Sequence, residues 1–297
     1  MKYVITGGAG HISKPLAEKL LEAGHEVTVV GRNAENLKPL VDKGAKAAIG
    51  SVEDASFLTE TFIGGDAVYT MVPPNMGATD WKRYIGQIGD NYVEAIKSSG
   101  VKYVVNLSSV GAHMQDGCGP VSGLHRVEEA LNKSDNVAIR HLRPGFFFDN
   151  FYGNLAMIKN MNIIGGNYGA ADTKMVLAAP ADIAEVAAEE LLNLAFTGHS
   201  IRYISSDERT AGEVANVLGT AVGKPELPWV EFSDADTLGA LKGAGLPDEI
   251  AKNYTEMGSA IRSGAMQEDY WNHKPKNLGK VKLEDFAKQF AGAYNAN

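Results

Sequence analysis

The sequence predicts an α/β protein with a doubly wound parallel sheet and a smaller, mainly helical C-terminal lobe. Over the first 150 residues, short β-branched apolar segments alternate with amphipathic segments of helical spacing. A glycine-rich turn joins the first strand directly to the first helix. The 297 residues are 44% hydrophobic and 22% charged, which is ordinary for a globular chain with a large core. Because helices separate the strands, we expect parallel pairing through right-handed crossovers.

The N-terminal elements follow from apolar periodicity and from the residues that end them. Apolar residues from Leu16 to Leu21 recur at helical spacing, and Gly24 ends that helix. Pro73 and Pro74 end the fourth strand. By the same reasoning, strands are predicted at 3–6, 26–30, 46–49, 66–71, 101–106 and 137–142, and helices at 14–23, 33–41, 51–62, 81–98 and 122–131.

The chain beyond residue 150 is less regular. Residues 146–160 are expected to form a loop and a helix. Strands are predicted at 175–177 and 201–204, and helices at 182–194, 213–222, 235–244, 248–263 and 284–294. We therefore divide the chain into a sheet domain, 1–150, and a C-terminal lobe, 151–297, part of which returns to the sheet.

Charge and cysteine content exclude several classes of protein. The net charge of −8 makes nucleic-acid binding by the bulk surface unfavourable. The single cysteine, Cys118, can form neither an internal disulfide nor a thiolate metal site, and we expect no metal. The N-terminal apolar run is too short for a signal peptide, and no run of about 18 apolar residues exists to span a membrane. We expect a soluble cytoplasmic protein, and we leave open a homodimer.

The strongest functional signal is the turn Thr6-Gly7-Gly8-Ala9-Gly10-His11-Ile12-Ser13, which lies between the first strand and the first helix. Glycines let the backbone approach phosphate oxygens, and a helix N-terminus offers free N–H groups to an anion. The turn therefore predicts dinucleotide binding, with a plain glycine turn as the alternative. Ser13 stands where the usual fingerprint has its third glycine.

The end of the second strand indicates which dinucleotide binds. An NAD site usually places Asp or Glu there, on the ribose 2′-hydroxyl. This chain has Gly31-Arg32-Asn33 and no carboxylate. A guanidinium fits a 2′-phosphate bidentately, so Arg32 predicts NADPH (NADP) as the cofactor, unless it is simply a solvated surface arginine.

Several motifs occur in order along the chain: the glycine turn, Gly31-Arg32, Met71-Val72-Pro73-Pro74, Asn106-Leu107-Ser108-Ser109, and Arg143-Pro144-Gly145-Phe146-Phe147 with Asn150. Together they resemble the NmrA-like, atypical short-chain dehydrogenase/reductase family. The resemblance implies an NADPH-binding Rossmann domain and a substrate cleft between the lobes. Members of that family reduce quinones, dyes and plant phenolic ethers, or regulate without turnover.

The turn and the resemblance together give the expected cofactor-binding residues. The resemblance implies that the segments 71–74 and 144–147 bracket the nicotinamide. Serines 108 and 109, at the strand edge where ligands bind, either contact a ligand or satisfy the end of the strand. The expected set is Thr6, Gly7, Gly10, His11, Ile12, Arg32, Met71, Val72, Pro73, Ser108, Pro144, Gly145 and Phe146.

The chain departs from the family pattern at the proton donor. The usual Tyr-x-x-x-Lys pair is absent, and in the expected register Val121 and His125 replace it. His125 is the candidate proton donor, with Ser109 beside it, and the alternative for His125 is an ordinary histidine on a partly exposed helix. The pattern Tyr270 to Lys274 is discounted because Pro275 disfavours a helix there.

Aromatic residues near the predicted cleft suggest the substrate. Phe147, Phe151 and Tyr152 either line the cleft for a flat apolar or aromatic acceptor, such as a quinone, or belong to the core. His113, Asp116 and Cys118 lie close together, but their glycine-rich surroundings indicate a loop rather than a site.

These observations predict an NADPH-dependent oxidoreductase of small apolar acceptors: quinones, carbonyls or dye-like compounds. The alternative is a catalytically silent NADP(H) sensor that acts through a protein partner, because the Tyr-Lys pair is missing.

Overall fold

The computed structural model describes residues 1–296 and contains a seven-stranded parallel sheet with the strand order β10-β6-β5-β4-β1-β2-β3. Two small sheets, β11-β9-β7 and β12-β8, lie outside it. The strands are β1 (Lys2–Ile5), β2 (Glu26–Gly31), β3 (Lys46–Ile49), β4 (Ala67–Thr70), β5 (Tyr103–Leu107), β6 (Ala138–Pro144), β7 (Phe146–Phe147), β8 (Ile164–Gly166), β9 (Lys174–Ala178), β10 (His199–Ile204), β11 (Asp207–Thr210) and β12 (Trp229–Glu231).

Helices connect the strands and also build much of the C-terminal lobe. Two short 3₁₀ segments, Phe148–Asn154 and Ala265–Gln267, precede helices α6 and α11. The helices are α1 (Ser13–Glu22), α2 (Ala34–Val41), α3 (Ala55–Phe62), α4 (Trp81–Ser99), α5 (Pro120–Leu131), α6 (Leu155–Met161), α7 (Pro180–Asn193), α8 (Ala211–Ala221), α9 (Asp234–Gly243), α10 (Asp248–Arg262), α11 (Glu268–Asn272) and α12 (Leu283–Ala296).

The predicted doubly wound sheet is confirmed. The central strands are buried on both faces: β4 has no exposed residue, and its neighbours β1 and β5 are nearly as enclosed. Strand β1 pairs with β2 on one side and β4 on the other, so the strand order reverses at this point. A crevice opens at such a reversal outside the carboxyl ends of the strands, and ligands bind there in open α/β sheets.

The chain beyond residue 150 contributes to the main sheet through β10, which runs parallel to β6. The division at residue 150 stays a prediction. The short strands β7, β8, β11 and β12 were not predicted, and β7 lies where a loop was expected. Strands of two to four residues carry too little periodicity to be recognised, and β12 is defined only by its pairing with β8, some 60 residues away.

The apolar residues form three clusters. Two cover the faces of the main sheet, one under α1 and α7 and the other under α3 and α4, and the third fills the C-terminal lobe. Within residues 1–296, no helix is both long and apolar enough to cross a membrane. The same residues hold no cluster of three or more His, Cys, Asp or Glu side chains suited to a metal ion.

Candidate functional site

A cleft of about 740 Å³ lies at the carboxyl ends of β1, β2 and β3. Four segments line it: the glycine turn, the end of β2 with the start of α2, the residues after β3, and a proline after β4. Its lining residues are Gly7, Gly8, Ala9, Gly10, Lys14, Val30, Gly31, Arg32, Asn33, Glu35, Asn36, Leu37, Pro39, Gly50, Ser51, Val52, Glu53 and Pro73.

The floor of the cleft is a backbone turn that only glycine allows. Gly7 has a φ of +85°. A Cβ atom at Gly7 would lie 2.8 Å from the Met71 side chain and 2.9 Å from Ser13 Oγ. Ser13 Oγ in turn donates a hydrogen bond of 2.9 Å to the Thr6 carbonyl, which ties the turn to β1. The turn therefore presents bare backbone to the cleft, as a pyrophosphate requires.

Helix α1 begins without a competing group at its N-terminus. No side chain caps it, and its first turn contains no acidic residue. Lys14, in that first turn, lines the cleft. By contrast, the Asn33 side chain accepts a hydrogen bond of 2.8 Å from the backbone N–H of Glu35 and caps α2. The Lys14 N–H donates to the Gly10 carbonyl at 3.0 Å and Pro15 has no N–H, so within the described residues the N–H groups of Ile12 and Ser13 remain free to bind an anion at this partially positive terminus.

Arg32 follows β2 directly and lines the same cleft. Its side chain is exposed, and no ion pair engages it within the described residues. Nearby, the Tyr84 hydroxyl donates to the Glu53 carboxylate at 3.2 Å. Burial and Glu53 raise the pKa of Tyr84 to about 12, against an opposing effect of Arg32. The guanidinium is therefore available to a phosphate at the end of β2.

Thr6 holds the turn from below rather than facing the cleft. Its side chain is fully buried, and its hydroxyl donates to the Tyr69 carbonyl at 3.1 Å and accepts from the Met71 N–H at 3.1 Å. The Tyr92 hydroxyl donates to the Met71 carbonyl at 2.6 Å. The Thr6 N–H also donates to the Tyr69 carbonyl, at 3.0 Å, so Thr6 fixes Met71 against Gly7, and its contact with a cofactor stays a prediction.

The other predicted residues around the turn separate into two groups. The His11 side chain is 81% exposed, and its Nδ1 lies 2.7 Å from the carboxylate of Asp149, in the 3₁₀ segment that precedes α6. Ile12 is buried in the core under α1, so its side chain packs rather than binds. Val72 and Pro73 are half-buried after β4, and Pro73 lines the cleft.

The end of β5 is occupied by a buried polar network. The Ser108 hydroxyl donates to Glu128 Oε1 at 2.5 Å, and Arg143 grips both oxygens of that carboxylate at 3.0 and 2.6 Å. Because its proton is engaged there, Ser108 can only accept a hydrogen bond from a ligand. Ser109 donates to the adjacent Val110 carbonyl at 2.9 Å and is half-buried.

The predicted proton donor His125 has a structural contact. Its Nδ1 lies 2.8 Å from the Ala112 carbonyl, and its Nε2 lies 3.6 Å from the Glu129 carboxylate one turn along α5. Val121, at the position of the usual tyrosine, is buried. His125 therefore fixes the loop after β5, and its role in proton transfer stays a prediction.

The aromatic residues after β6 are mainly core. Phe151 is fully buried against Phe146, and Tyr152 packs on two rings of α12. Phe147 and Tyr152 are half-buried. The enclosure of the Phe151 ring by the C-terminal lobe favours the core alternative for that residue, and contact of Phe147, Phe151 and Tyr152 with substrate stays a prediction.

The segment 144–146 is shaped by packing against β9. A Cβ at Gly145 would lie 2.4 Å from the Val176 carbonyl oxygen, so glycine is required there by the protein itself. Pro144 is buried at the end of β6, where its carbonyl accepts a hydrogen bond of 2.8 Å from the Val110 N–H. Its contact with a nicotinamide stays a prediction.

Sequence reasoning missed several residues that the structure places at the site. Lys14 could have been found, because it lies in the first turn of the helix that follows the glycine turn. Residues 51–53 follow β3, whose carboxyl end meets the same edge as β1 and β2. Glu128 carried no signal, since nothing in the sequence shows that it meets Ser108 and Arg143.

Comparisons with known proteins agree with this geometry. A profile of the NAD(P)H-binding family matches residues 7–193. Quinone oxidoreductase 2 of Escherichia coli is 22% identical over 268 residues, which cover 89% of this chain and 90% of that protein.

Two solved structures share the fold over nearly the whole chain. The NADPH complex of an Escherichia coli NADPH-dependent quinone oxidoreductase aligns with a TM-score of 0.82 and 22% identity, over 97% of this chain and 99% of that one. The NADP(H) complex of a Citrobacter sp. triphenylmethane reductase aligns with a TM-score of 0.81 and 21% identity, over the same shares. The resemblance drawn from the motifs is confirmed, and this chain belongs to the NAD(P)H-binding family.

Proposed function

We propose that this chain is an NADPH-dependent oxidoreductase that transfers hydride to a small apolar or aromatic acceptor of the quinone or dye type. The observation that carries the proposal is the glycine cradle, which opens into a cleft that also contains Arg32. The names of the two relatives, a quinone oxidoreductase and a triphenylmethane reductase, support this choice of acceptor.

The chain's own residues would bind and orient the cofactor. The uncapped N–H groups of α1 would hold the pyrophosphate, and Lys14 adds a positive charge beside them. Arg32 would bind the 2′-phosphate, which NADH lacks, and so give the preference for NADPH. When bound, the nicotinamide supplies the hydride.

The acceptor is constrained by what α5 lacks. With Val121 and His125 in place of the Tyr-Lys pair, the usual phenol is not available to a carbonyl substrate. A quinone needs alignment with the hydride donor and one proton, while a cationic dye needs only the hydride. Acceptors of these two kinds tolerate the substitution better than an aldehyde or ketone.

The same substitution favours a second candidate function. A chain that has kept the phosphate cradle but lost Tyr and Lys could bind NADP(H) and report its redox state to a protein partner. The two functions differ in turnover, since both require the cofactor to bind.

The test combines calorimetry with steady-state turnover. We expect NADPH to bind more tightly than NADH, and we expect the absorbance of NADPH to fall steadily with a panel of benzoquinones, naphthoquinones, aldehydes and triphenylmethane dyes. Tight NADPH binding without turnover across the panel would support the sensor. No binding heat with either coenzyme would contradict both functions.

We also propose a cytoplasmic location and a homodimeric state for this protein. A cytoplasmic location agrees with use of NADPH, and cell fractionation tests it. A homodimer is tested by light scattering of the purified chain, where a monomer mass would remove it.

A further inference from the structure

The loop that follows β5 carries an imidazole without a hydrogen-bond partner. His113 is half-buried, and its Nδ1 is enclosed by protein with no donor or acceptor in reach. Its Nε2 is also free of hydrogen bonds within the described residues, yet it is not enclosed. A ring held in this way keeps one nitrogen available to a group outside the protein.

The backbone around His113 is held firmly. The Val110 N–H donates to the Pro144 carbonyl at 2.8 Å, and the Ala112 N–H donates to the Ser109 carbonyl at 3.1 Å. The His125 ring binds the Ala112 carbonyl, directly beside His113. The ring is therefore presented from an ordered loop at the carboxyl end of β5, the edge where this class of sheet binds ligands.

A polar network at the end of β6 gives His113 an electrostatic partner, the half-buried Asp269. The Asp269 carboxylate accepts from Arg143 at 3.1 Å and from the Tyr203 hydroxyl. Burial raises the pKa of Asp269, but Tyr203, His273, Arg143 and His113 together lower it below its usual value. One guanidinium, that of Arg143, pairs with both Glu128 at 2.6 Å and Asp269 at 3.1 Å, so two carboxylates share this cation.

We propose that His113 donates the proton that completes reduction of a quinone acceptor. This inference rests on the proposed function. The hydride adds to the quinone and gives an anion, the Nε2–H bond of the imidazolium breaks, and an O–H bond forms on the hydroquinone. His113 is left neutral and recovers its proton from solvent. His125 is less suited, because its Nδ1 binds Ala112 and its Nε2 faces Glu129.

The test compares two histidines that both lower the pKa of Asp269. His273 Nδ1 lies 3.1 Å from the Asp269 carboxylate and its side chain is 66% exposed, so His273→Gln is the matched control for His113→Gln. Each variant is assayed with a quinone and with a cationic triphenylmethane dye, whose reduction requires hydride but no proton. We expect His113→Gln to lower kcat for the quinone by about 100-fold and to leave dye turnover within about twofold. His273→Gln should change neither.

Dye turnover and NADPH affinity report whether His113→Gln is folded. Equal loss with both acceptors, or loss with neither, would overturn the assignment of His113 while leaving the proposed function intact. Absence of turnover in the parent chain would overturn the proposed function itself.

A second measurement does not depend on rate. The ¹⁵N resonances of the His113 ring, identified by their loss in His113→Gln, should shift when hydroquinone is added to the NADP⁺-loaded protein. The His273 resonances should not move. Unchanged His113 resonances at saturating hydroquinone would show that the ring does not meet the reacting oxygen.

Discussion

Replacing Gly7 with alanine tests whether the turn after β1 is shaped for a phosphate. Gly7 has a φ of +85°, a conformation that costs an alanine about 1–2 kcal/mol. Its new methyl group would also lie 2.8 Å from the Met71 side chain and 2.9 Å from Ser13 Oγ. Relief of those contacts requires Met71 to move or the bond from Ser13 to Thr6 to break, which adds about 1–3 kcal/mol. We expect a total loss of stability of about 2–5 kcal/mol.

Gly24 provides the matched control. It has a φ of +82°, close to that of Gly7, but a Cβ there would meet nothing within 4 Å. Gly24→Ala should therefore lose only the backbone part, about 1–2 kcal/mol. The difference between the two variants in the loss of unfolding free energy gives the cost of crowding at Gly7, because the strain of the left-handed backbone is common to both.

The free energy of unfolding is measured by urea titration of the cofactor-free chain, and NADPH affinity by calorimetry. Displacement of the turn should remove one or two amide contacts to the pyrophosphate, at about 1 kcal/mol each. That corresponds to an affinity about 5–30 times weaker for Gly7→Ala and unchanged for Gly24→Ala. If Gly7→Ala matches Gly24→Ala in both measurements, the turn is an ordinary one and the argument for a cradle is wrong.

Three further predictions concern charged groups. Arg32→Glu should weaken NADPH by about 10–100-fold and leave NADH nearly unchanged in calorimetry, and equal affinity for both coenzymes in parent and variant would remove Arg32 from the site. Arg143→Met leaves the Glu128 carboxylate buried and unpaired, so urea titration should show a loss of about 3–5 kcal/mol, most of it restored in Arg143→Met/Glu128→Met. Burial lowers the pKa of His141 from 6.5 to about 4. The unfolded chain therefore binds this proton first as pH falls, and up to about 3 kcal/mol of stability is lost between pH 6.5 and pH 4. His141→Asn should flatten that part of the pH profile.

The elements that the sequence predicted well carry their signals locally. Strand β1, the glycine turn and α1 are adjacent, and each is identified by residues within a few positions of one another. The same holds for α4, where Asp80 caps the first turn and Gly100 ends the helix in a left-handed conformation. Strands β8 and β12 have no such signal, because each consists of three residues that pair only with each other.

The site shows the same division between local and distant contacts. Gly7 and Arg32 were predicted because the glycine turn and the end of β2 are each recognised from residues that are neighbours in the sequence. Ser108 was expected either to contact a ligand or to satisfy the end of the strand, and its hydroxyl meets Glu128, twenty residues away on α5. Only the packing of α5 on the sheet creates that contact. His113 was interpreted as part of a loop, because nothing in the sequence shows that its Nδ1 is enclosed without a hydrogen-bond partner.

The packing of α5 explains why the proton donor would lie on the loop instead of the helix. The inward positions of α5 are taken by Val121, which is buried, and by Glu128, which anchors Arg143 at the end of β6. His125, at the former lysine position, binds the backbone of the loop after β5. Because neighbouring segments engage these side chains of α5, a proton donor outside the helix is favoured. Helix α5 instead holds in place the loop that carries His113. The effect of His113→Gln on quinone turnover, compared with its effect on dye turnover, tests whether that loop supplies the proton.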